Sequence, residues 1–286
     1  MTLDPAAQHT LATHGFLVRP RALSRAACET INARLSDLIL RVAAEHARGD
    51  RASLDFWPLL RRSTQGAEVF LSPTAGSPSA LPPEAWERAT MRVGHALHRA
   101  DPHLDALCRS APIAAPLAAV VPSPAVIVQT ALIYKQPQSD IVQFGFHQDS
   151  WYLTADPETL ALAFLVLDDM DEENGCLQVI PGSHREGLAA RLQLTDNGFQ
   201  PMGRRDLPAP PHPERARSPP AEQGTLILVH GRTWHASGPN RSPRPRRALL
   251  VHAMNASSRL HPSSWIQPPP DGFTPLIPVR RTGTSA

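Results

Sequence analysis

The chain has 286 residues, of which 42% are hydrophobic and 19% are charged, and its formal net charge is +2. This length suits one large domain or two small ones with an ordinary buried core, and no stretch approaches a membrane span. So small a charge gives no support to a nucleic-acid or membrane partner. Cys28, Cys108 and Cys176 are far apart and form no Cys-x-x-Cys motif, so we expect reduced thiols and a cytoplasmic location.

The N-terminal part is predicted to be mainly helical. Ser24 is typical of a helix N-cap. Four aliphatic residues at helical spacing follow it: Ile31, Leu35, Leu38 and Val42. They predict one helix whose apolar stripe packs on a sheet. Residues 84–108 are also predicted to be helical, with an interruption near Pro102.

From about residue 125 the pattern changes to strands. Six apolar segments are separated by Gly and Pro turns: residues 126–135, 143–152, 160–167, 176–180, 224–230 and 246–254. Many strands, with helices gathered at the N-terminal side, predict a mostly β fold, a jelly-roll core with a helical layer packed on it. We predict a single domain over 1–286, with a helical part at about 1–120, the core at about 121–256 and a tail at 257–286.

The strand at residues 143–152 carries the pattern that is most informative about function. His147 and Asp149 are separated by one residue, and a regular strand places residues i and i+2 on the same face. An imidazole nitrogen and a carboxylate oxygen side by side can occupy neighbouring positions around a metal ion. A second histidine would complete a 2-His-1-carboxylate triad, which leaves positions open on Fe(II). We therefore predict that both residues are metal ligands.

Two similar pairs elsewhere in the chain lack this local geometry. A chain with 13 His contains His-x-Asp patterns by chance, and a second copy is formed by His103 and Asp105. That copy lies in a predicted helix, where residues i and i+2 do not share a face. His212 and Glu214 lie in a proline-rich segment with no strand to order them. We interpret both pairs as surface residues.

Five later histidines are candidates for the third metal ligand: His184, His230, His235, His252 and His261. His235 is the best placed, because it is predicted at a strand end beside a turn, where a metal site at the mouth of a barrel would need it. The odd offset of His230 from His235 would direct it away in a regular strand. His252 lies within an apolar strand, where an ordinary core histidine is expected, and the role of His184 stays open.

An arginine near His235 indicates that the site also binds a carboxylate compound. Arg246 begins the strand that follows His235, and a planar guanidinium can bind a carboxylate with two parallel hydrogen bonds. Ser237, two residues from His235, can share its face and donate a hydroxyl. A dicarboxylate such as 2-oxoglutarate needs such an anchor for the carboxylate that does not bind iron. Arg247 is expected on the opposite face by strand alternation.

Taken together, these motifs resemble the phytanoyl-CoA dioxygenase family of Fe(II)/2-oxoglutarate oxygenases. The motifs are His147-x-Asp149, Asn174-Gly175-Cys176-Leu177, Pro181-Gly182-Ser183-His184, His235-x-Ser237-x-x-Asn240 and Arg246. The resemblance extends from Gly15 over most of the chain. It implies a double-stranded β-helix (jelly-roll or cupin-like) core with N-terminal helices packed on it.

The resemblance also implies roles for individual residues. His147, Asp149 and His235 match the family's iron ligands, and Ser237 and Arg246 match its 2-oxoglutarate anchors. Two further contacts of the cosubstrate fall on Arg92 and Phe164, and the family usually has Lys where Arg92 stands.

The implied function is that of an Fe(II)/2-oxoglutarate-dependent dioxygenase that hydroxylates a small molecule and releases succinate and CO2. O2 is the oxidant, ascorbate is a candidate reductant, and the protein is expected to be a monomer or a homodimer. Asp149 argues against a halogenase, in which a small residue would leave a site for chloride. An acyl-CoA substrate has only the family resemblance in its favour, because the sequence shows no clear cluster for the CoA phosphates.

Two other functions stay open at this point. A non-oxidative metal-binding β-barrel, such as an isomerase or a binding module, would use the triad but would not explain Arg246. An AlkB-like nucleic-acid demethylase would use a similar triad, but the weak basicity of the chain counts against it.

The proline-rich segment 202–220 lies within a longer loop, residues 193–223. We predict that it overhangs the substrate pocket as a lid and contributes little to folding.

Overall fold

A computed structural model of the chain describes residues 3–50, 56–76, 78–140, 144–195 and 198–277. Within those ranges the helices are α1 (Pro5–His14), α2 (Arg25–Ala47), α3 (Phe56–Ser63), α4 (Trp86–Ala89), α5 (Leu97–Ala100), α6 (Pro102–Cys108) and α7 (Ala111–Ala118). The strands are β1 (Phe16–Arg19), β2 (Ala67–Leu71), β3 (Thr90–His95), β4 (Ala125–Lys135), β5 (Phe144–His147), β6 (Ala155–Asp156), β7 (Ala161–Val166), β8 (Leu177–Val179), β9 (Leu192–Thr195), β10 (Gly198–Pro201), β11 (Leu226–His230), β12 (His235–Ser237), β13 (Arg246–Asn255), β14 (Arg259–Leu260) and β15 (Thr274–Pro275).

The strands form one large sheet and one small sheet. The large sheet has eight strands in the order β1-β11-β7-β13-β4-β3-β2, and β15 pairs with β4 outside this path. The small sheet has the order β5-β12-β8, and β9 with β10 and β6 with β14 form two separate pairs. All of these strand pairings are antiparallel, and the described strands do not close into a barrel.

The two faces of the large sheet bury different partners. On one face, the apolar stripe of α2 belongs to the same core cluster as side chains of β7, β11 and β13, among them Leu35, Leu165 and Leu249. On the other face, Phe164 and Ile227 belong to a second cluster that includes residues of β8 in the small sheet. The large sheet is therefore the middle layer, as the predicted jelly-roll core with a helical layer requires. The fold prediction is confirmed.

Alternation along the strands decides which side chains can reach the site. In β7, Ala163 and Leu165 belong to the cluster under α2, whereas Leu162 and Phe164 belong to the cluster that faces the small sheet. This follows from the two-residue period of a strand. The same period in β13 places Arg246 on the side of the small sheet and Leu249 on the side of α2.

The local predictions for the N-terminal part are confirmed in one place and wrong in another. Ser24 caps α2, and its Oγ accepts a hydrogen bond from the Ala27 N–H over 3.2 Å. The helix predicted across residues 84–108 is wrong at residues 90–95, which form β3 between two helices of only four residues. Strands β1, β2 and β3 precede residue 121 and join the large sheet, so the sheet is not confined to the predicted core. The division of the single domain into a helical part, a core and a tail stays a prediction.

The cysteines and the helix lengths bear on the expectations of reduced thiols and of no membrane span. Cys28, Cys108 and Cys176 are buried and free. In the part of the chain that the structure describes, no helix combines the length and the apolar character needed to cross a bilayer.

Candidate active site

A cavity of about 370 Å³ lies between the large and the small sheet. All seven residues that the sequence singles out line it: His147, Asp149, His235, Ser237, Arg246, Arg92 and Phe164. They come from five strands and one turn that are widely separated along the chain. The fold therefore assembles one site from the separate motifs.

Strand pairing brings two histidines together, and a turn adds the carboxylate. His147 on β5 and His235 on β12 are direct cross-strand partners, with ring centroids 4.3 Å apart. The strand ends at His147, and Asp149 begins a 3-10 turn, so the predicted strand through residue 152 is wrong there. Asp149 Oδ1 nevertheless lies 3.7 Å from His147 Nε2 and 3.5 Å from His235 Nε2.

Hydrogen bonds to the backbone set the tautomers of both histidines. His147 Nδ1 lies 2.8 Å from the Gly145 carbonyl oxygen, and His235 Nδ1 lies 2.9 Å from that of Thr233. A carbonyl only accepts, so each Nδ1 carries the proton and each Nε2 presents a lone pair. One ligand atom from each of His147, Asp149 and His235 lies within 4.8 Å of the others. These three residues could hold a divalent metal ion.

The electrostatics of this cluster suit a cation. Burial alone would raise the pKa of Asp149, but His235 and His252 outweigh burial and hold that pKa well below its usual range. Burial opposes a charge on His235, yet the Asp149 carboxylate raises its pKa. Burial and the neighbouring His235 lower the pKa of His147. An ionised carboxylate between two imidazoles is the donor set that a metal ion needs.

His252 is a fourth histidine at this cluster. Its side chain is 2% exposed, and its Nε2 lies 3.1 Å from Asp149 Oδ2. Neither ring nitrogen forms a well-aligned hydrogen bond with the described residues, so His252 acts on Asp149 through this close contact alone. Sequence reasoning assigned it an ordinary core role. Its even offset from Arg246 on the same strand was the signal that could have placed it on the cavity side.

We expect His252→Leu to weaken the affinity for Fe(II) by about 10- to 100-fold, the usual effect of losing a residue that orients a metal ligand. His252 contacts the Asp149 oxygen that His147 and His235 do not contact, so its loss frees the carboxylate to rotate. The measurement is an anaerobic titration of the protein with Fe(II). His184→Leu is the matched control, because His184 is 8% exposed and lies outside the cavity. Equal affinity in His252→Leu and the parent would contradict this role.

Arg246 offers a binding site for an anion. Its side chain is buried, with 1% exposure, and Nη2 donates to the Gly175 carbonyl over 2.7 Å. Nε and Nη1 have no hydrogen-bond partner among the described residues. Burial lowers the pKa of Arg246 to about 10, which leaves it cationic at neutral pH. A buried cation with unpaired N–H groups is unfavourable, and a carboxylate that entered the cavity could accept from them.

Gly175 and Lys135 shape the backbone around this arginine, and sequence reasoning gave neither a role of its own. Gly175 has φ +75°, and a Cβ there would lie 2.5 Å from the Gly238 carbonyl oxygen, so the close approach of the two backbones requires glycine. Lys135 pairs with Arg246 in register, and its Nζ donates to the carbonyls of Ser237, over 3.1 Å, and Gly238. Burial and Arg246 lower the pKa of Lys135 to about 7. Lys135 thus fixes the backbone that follows the candidate ligand strand β12.

The two arginines of β13 have different surroundings, as strand alternation predicts. Arg247 lies on the other face, where Nε and Nη2 each donate to the Asp168 carboxylate over 2.8 Å. Its guanidinium also stacks over Tyr134, 5.4 Å from the ring centroid. By contrast, Arg246 lies 5.9 Å from the centroid of Phe164 inside the cavity. Arg247 is therefore a structural residue and a natural control for Arg246.

The other histidines that the sequence offered lie outside the cavity. His103 is exposed, and Asp105 on α6 pairs with Arg109, the residue that follows this helix. His184 and His230 lie together, with ring centroids 5.2 Å apart, and His184 Nε2 donates to the Ala12 carbonyl. His212 with Glu214 is an exposed pair, and His261 hydrogen-bonds to Ser263.

Aromatic side chains form the wall of the cavity near His147. The rings of Tyr152 and Phe199 are 5.2 Å apart, and those of Phe199 and Trp265 are 6.1 Å apart. Phe70 and Leu60 complete this apolar wall. Sequence reasoning missed all five as lining residues, since only long-range packing brings them together.

The role of residues 202–220 as a lid stays a prediction. None of them lines the cavity; the lining residue from this part of the chain is Phe199 on β10. Ala216 instead packs against the cluster of Trp151 and Trp234, and Arg217 pairs with Val179 at the edge of the small sheet. Ala216 and Arg217 therefore contact the core and the small sheet, whereas most residues of the segment are exposed.

The fold and the site together define a class, a jelly-roll protein with a candidate metal site of two histidines and one carboxylate. The sequence profile described as "Phytanoyl-CoA dioxygenase (PhyH)" matches residues 11–248. The chain belongs to the phytanoyl-CoA dioxygenase family, a family of Fe(II)/2-oxoglutarate-dependent oxygenases.

Individual relatives agree with this assignment. Phytanoyl-CoA dioxygenase domain-containing protein 1 of Bos taurus is 30% identical over 293 residues, which cover 96% of this chain and 98% of that protein. The Mus musculus protein of the same name is 33% identical over 208 residues, which cover 68% of this chain and 67% of that protein.

Solved structures share the fold at lower identity. The epimerase SnoN in complex with Fe3+, alpha ketoglutarate and nogalamycin RO gives a TM-score of 0.64 at 18% identity, and the match covers 98% of each chain. The apoform of EctD from S. alaskensis gives a TM-score of 0.61 at 19% identity, with 96% of this chain and 89% of that chain covered. At such identities the likeness establishes the fold alone.

Proposed function

We propose that the protein is an Fe(II)/2-oxoglutarate-dependent dioxygenase that hydroxylates a small organic molecule, in the cytoplasm, as a monomer or homodimer. The observation that carries this proposal is the presence of two complementary sites in one cavity. One is the cluster of His147, Asp149 and His235. The other is Arg246, a buried cation with unpaired N–H groups. A non-oxidative metal protein needs the first site but has no use for the second.

The residues of the cavity take distinct roles in this proposal. His147 and His235 would bind Fe(II) through Nε2, since their Nδ1 protons are held by carbonyls. Asp149 would supply the carboxylate. Arg246 and Ser237 would bind the carboxylate of 2-oxoglutarate that does not reach the metal.

Two further residues would complete the cosubstrate site. Arg92 projects into the same cavity from β3, and its guanidinium would contact the cosubstrate through a charge-assisted hydrogen bond. Phe164 lies beside Arg246 and would pack against the carbon chain of the cosubstrate. The family resemblance and the shared cavity support these two assignments.

The chemistry would divide between the bound groups and the protein. When bound, Fe(II) and 2-oxoglutarate supply the activation of O2, with one oxygen atom entering a substrate C–H bond as hydroxyl and the other entering succinate as CO2 is released. The chain's own residues hold the ligands in a fixed geometry. The aromatic wall formed by Tyr152, Phe199 and Trp265 excludes water from the reacting centre.

The size and lining of the cavity indicate the kind of substrate. Its volume of about 370 Å³ is near the lower end of the roughly 300–1,000 Å³ typical of small-molecule sites, and 2-oxoglutarate would take part of it. Among the described lining residues, Asp149 is the acidic one, and it is committed to the metal. A cationic substrate would therefore find no free carboxylate, so we propose a small, largely apolar substrate.

A screen of small apolar compounds tests this proposal. With Fe(II), ascorbate and 2-oxoglutarate present, we expect a true substrate to raise succinate formation and to gain one oxygen atom by mass spectrometry. The control is the same screen without 2-oxoglutarate, in which no product should form. Metal-dependent conversion of a compound without succinate formation would favour the non-oxidative alternative instead.

A further inference from the structure

A chain of three hydrogen bonds leads from the core to Arg92. Arg92 Nη1 lies 3.0 Å from His95 Nε2, and His95 Nδ1 lies 2.6 Å from Ser63 Oγ. Ser63 Oγ in turn donates to the Leu60 carbonyl over 2.6 Å. His95 and Ser63 are both completely buried, and Arg92 reaches the cavity.

The direction of every bond in this chain is determined by chemistry. An arginine can only donate, so His95 Nε2 accepts and the ring is neutral with its proton on Nδ1. That Nδ1–H donates to Ser63 Oγ, because the single hydroxyl proton is used on the Leu60 carbonyl. Burial and the positive charge of Arg92 hold the pKa of His95 well below its usual range, so the ring keeps this neutral form.

The position of the His95 ring is fixed by packing as well. It contacts Phe70 edge-on at a centroid distance of 5.4 Å and Trp265 at 4.6 Å. Both aromatic residues also line the cavity. The ring is therefore a rigid acceptor located between the cavity wall and α3, where Ser63 lies.

We propose that His95 is a positioning residue that holds the Arg92 guanidinium in the cavity, with Ser63 fixing the tautomer that makes this possible. The inference rests on the proposed function, because the ligand to which Arg92 is presented is 2-oxoglutarate. A long, flexible side chain that is already ordered loses less entropy when its ligand binds, so a fixed acceptor behind Arg92 raises affinity.

The first test measures the dissociation constant of 2-oxoglutarate from the Fe(II)-loaded protein under anaerobic conditions. His95→Phe keeps a ring but removes the acceptor, and we expect 2-oxoglutarate to bind about 3- to 10-fold more weakly, as for one lost hydrogen bond. The affinity for Fe(II) should not change. His95→Gln should restore much of the affinity, because its amide can accept from Arg92 and donate to Ser63. His98→Gln is the matched control, a buried histidine that bonds to Thr130 and does not line the cavity.

A double-mutant cycle separates positioning from general structural damage. If His95 acts through Arg92, the variant carrying Arg92→Leu and His95→Phe should bind 2-oxoglutarate no more weakly than Arg92→Leu alone. Additive losses would overturn the proposal, and so would a His95→Phe protein that binds like the parent. If His95→Phe does not fold, Ser63→Ala replaces it in the cycle, with a smaller loss expected in the same direction.

A structural readout keeps this inference distinct from the proposed function. In crystals grown without cosubstrate, we expect Arg92 to leave its position in His95→Phe and to keep it in His95→Gln. An unmoved Arg92 in His95→Phe would refute positioning even if the parent binds 2-oxoglutarate. A parent protein that does not bind 2-oxoglutarate would refute the proposed function, while the displacement of Arg92 would still establish the role of His95 in holding it.

Discussion

Replacing His235 with alanine is expected to abolish Fe(II)-dependent conversion of 2-oxoglutarate to succinate, and so are His147→Ala and Asp149→Ala. Each change leaves two of the three groups that converge within 4.8 Å, too few to hold the ion in an ordered, open site. We expect a loss of more than about 100-fold, because residues that merely orient metal ligands already account for 10- to 100-fold. The measurement is succinate formation with saturating Fe(II) and 2-oxoglutarate.

The controls for this prediction are histidines and an aspartate outside the cavity. His103→Ala and Asp105→Ala repeat the same His-x-Asp pattern on α6, and both should leave turnover intact. His230→Ala tests a partly buried histidine near His235 in sequence. Full activity in His235→Ala would refute the assignment of His235 as a metal ligand. Loss of activity in a folded His230→Ala protein would favour His230 as the ligand instead.

The second large effect is expected at Arg246. In Arg246→Lys the positive charge stays, but one ammonium group cannot both donate to the Gly175 carbonyl and replace the planar N–H groups of the guanidinium. We predict that the KM for 2-oxoglutarate rises about tenfold or more, which corresponds to losing one charge-assisted hydrogen bond of about 1.5–3 kcal/mol. The rate at saturating 2-oxoglutarate should change much less, because the lost contact lies on the part of the cosubstrate that does not react.

Arg247→Lys is the matched control, one residue away on the same strand. Its partner is the Asp168 carboxylate on the other face of the sheet, so we expect a lower thermal stability and an unchanged KM for 2-oxoglutarate. The measurement is the KM for 2-oxoglutarate, from steady-state kinetics with 2-oxoglutarate as the varied substrate. Equal KM values in Arg246→Lys and the parent, or equal increases in both variants, would contradict the anchor.

Features that depend on local pattern could be predicted from the sequence. The long apolar runs that became β4, β7, β11 and β13 are buried on both faces, so they differ clearly from their polar surroundings. The apolar stripe of α2 follows the helical period and packs as expected. The phase of a regular strand also separated Arg246 from Arg247.

Features that depend on partners distant in sequence could not be predicted. Residues 90–95 became a strand because β2 and β4 pair with them on both sides, and such pairing overrides a weak local preference. Asp149 reaches the two histidines through a turn, although the sequence around it has strand character. The contact of His252 with Asp149 and the chain from Ser63 through His95 to Arg92 exist only after the sheets and α3 have packed.

The most direct measurement of the central claim is turnover of 2-oxoglutarate by the purified protein with no other substrate added. If the cavity binds Fe(II) and 2-oxoglutarate as proposed, slow formation of succinate and CO2 in equal amounts should require Fe(II) and O2, with added ascorbate supplying the two electrons that reduce the second oxygen atom to water. Arg246→Lys should need a higher 2-oxoglutarate concentration, and His235→Ala should show no turnover. A parent protein that binds Fe(II) at this site yet neither binds nor consumes 2-oxoglutarate would contradict the account.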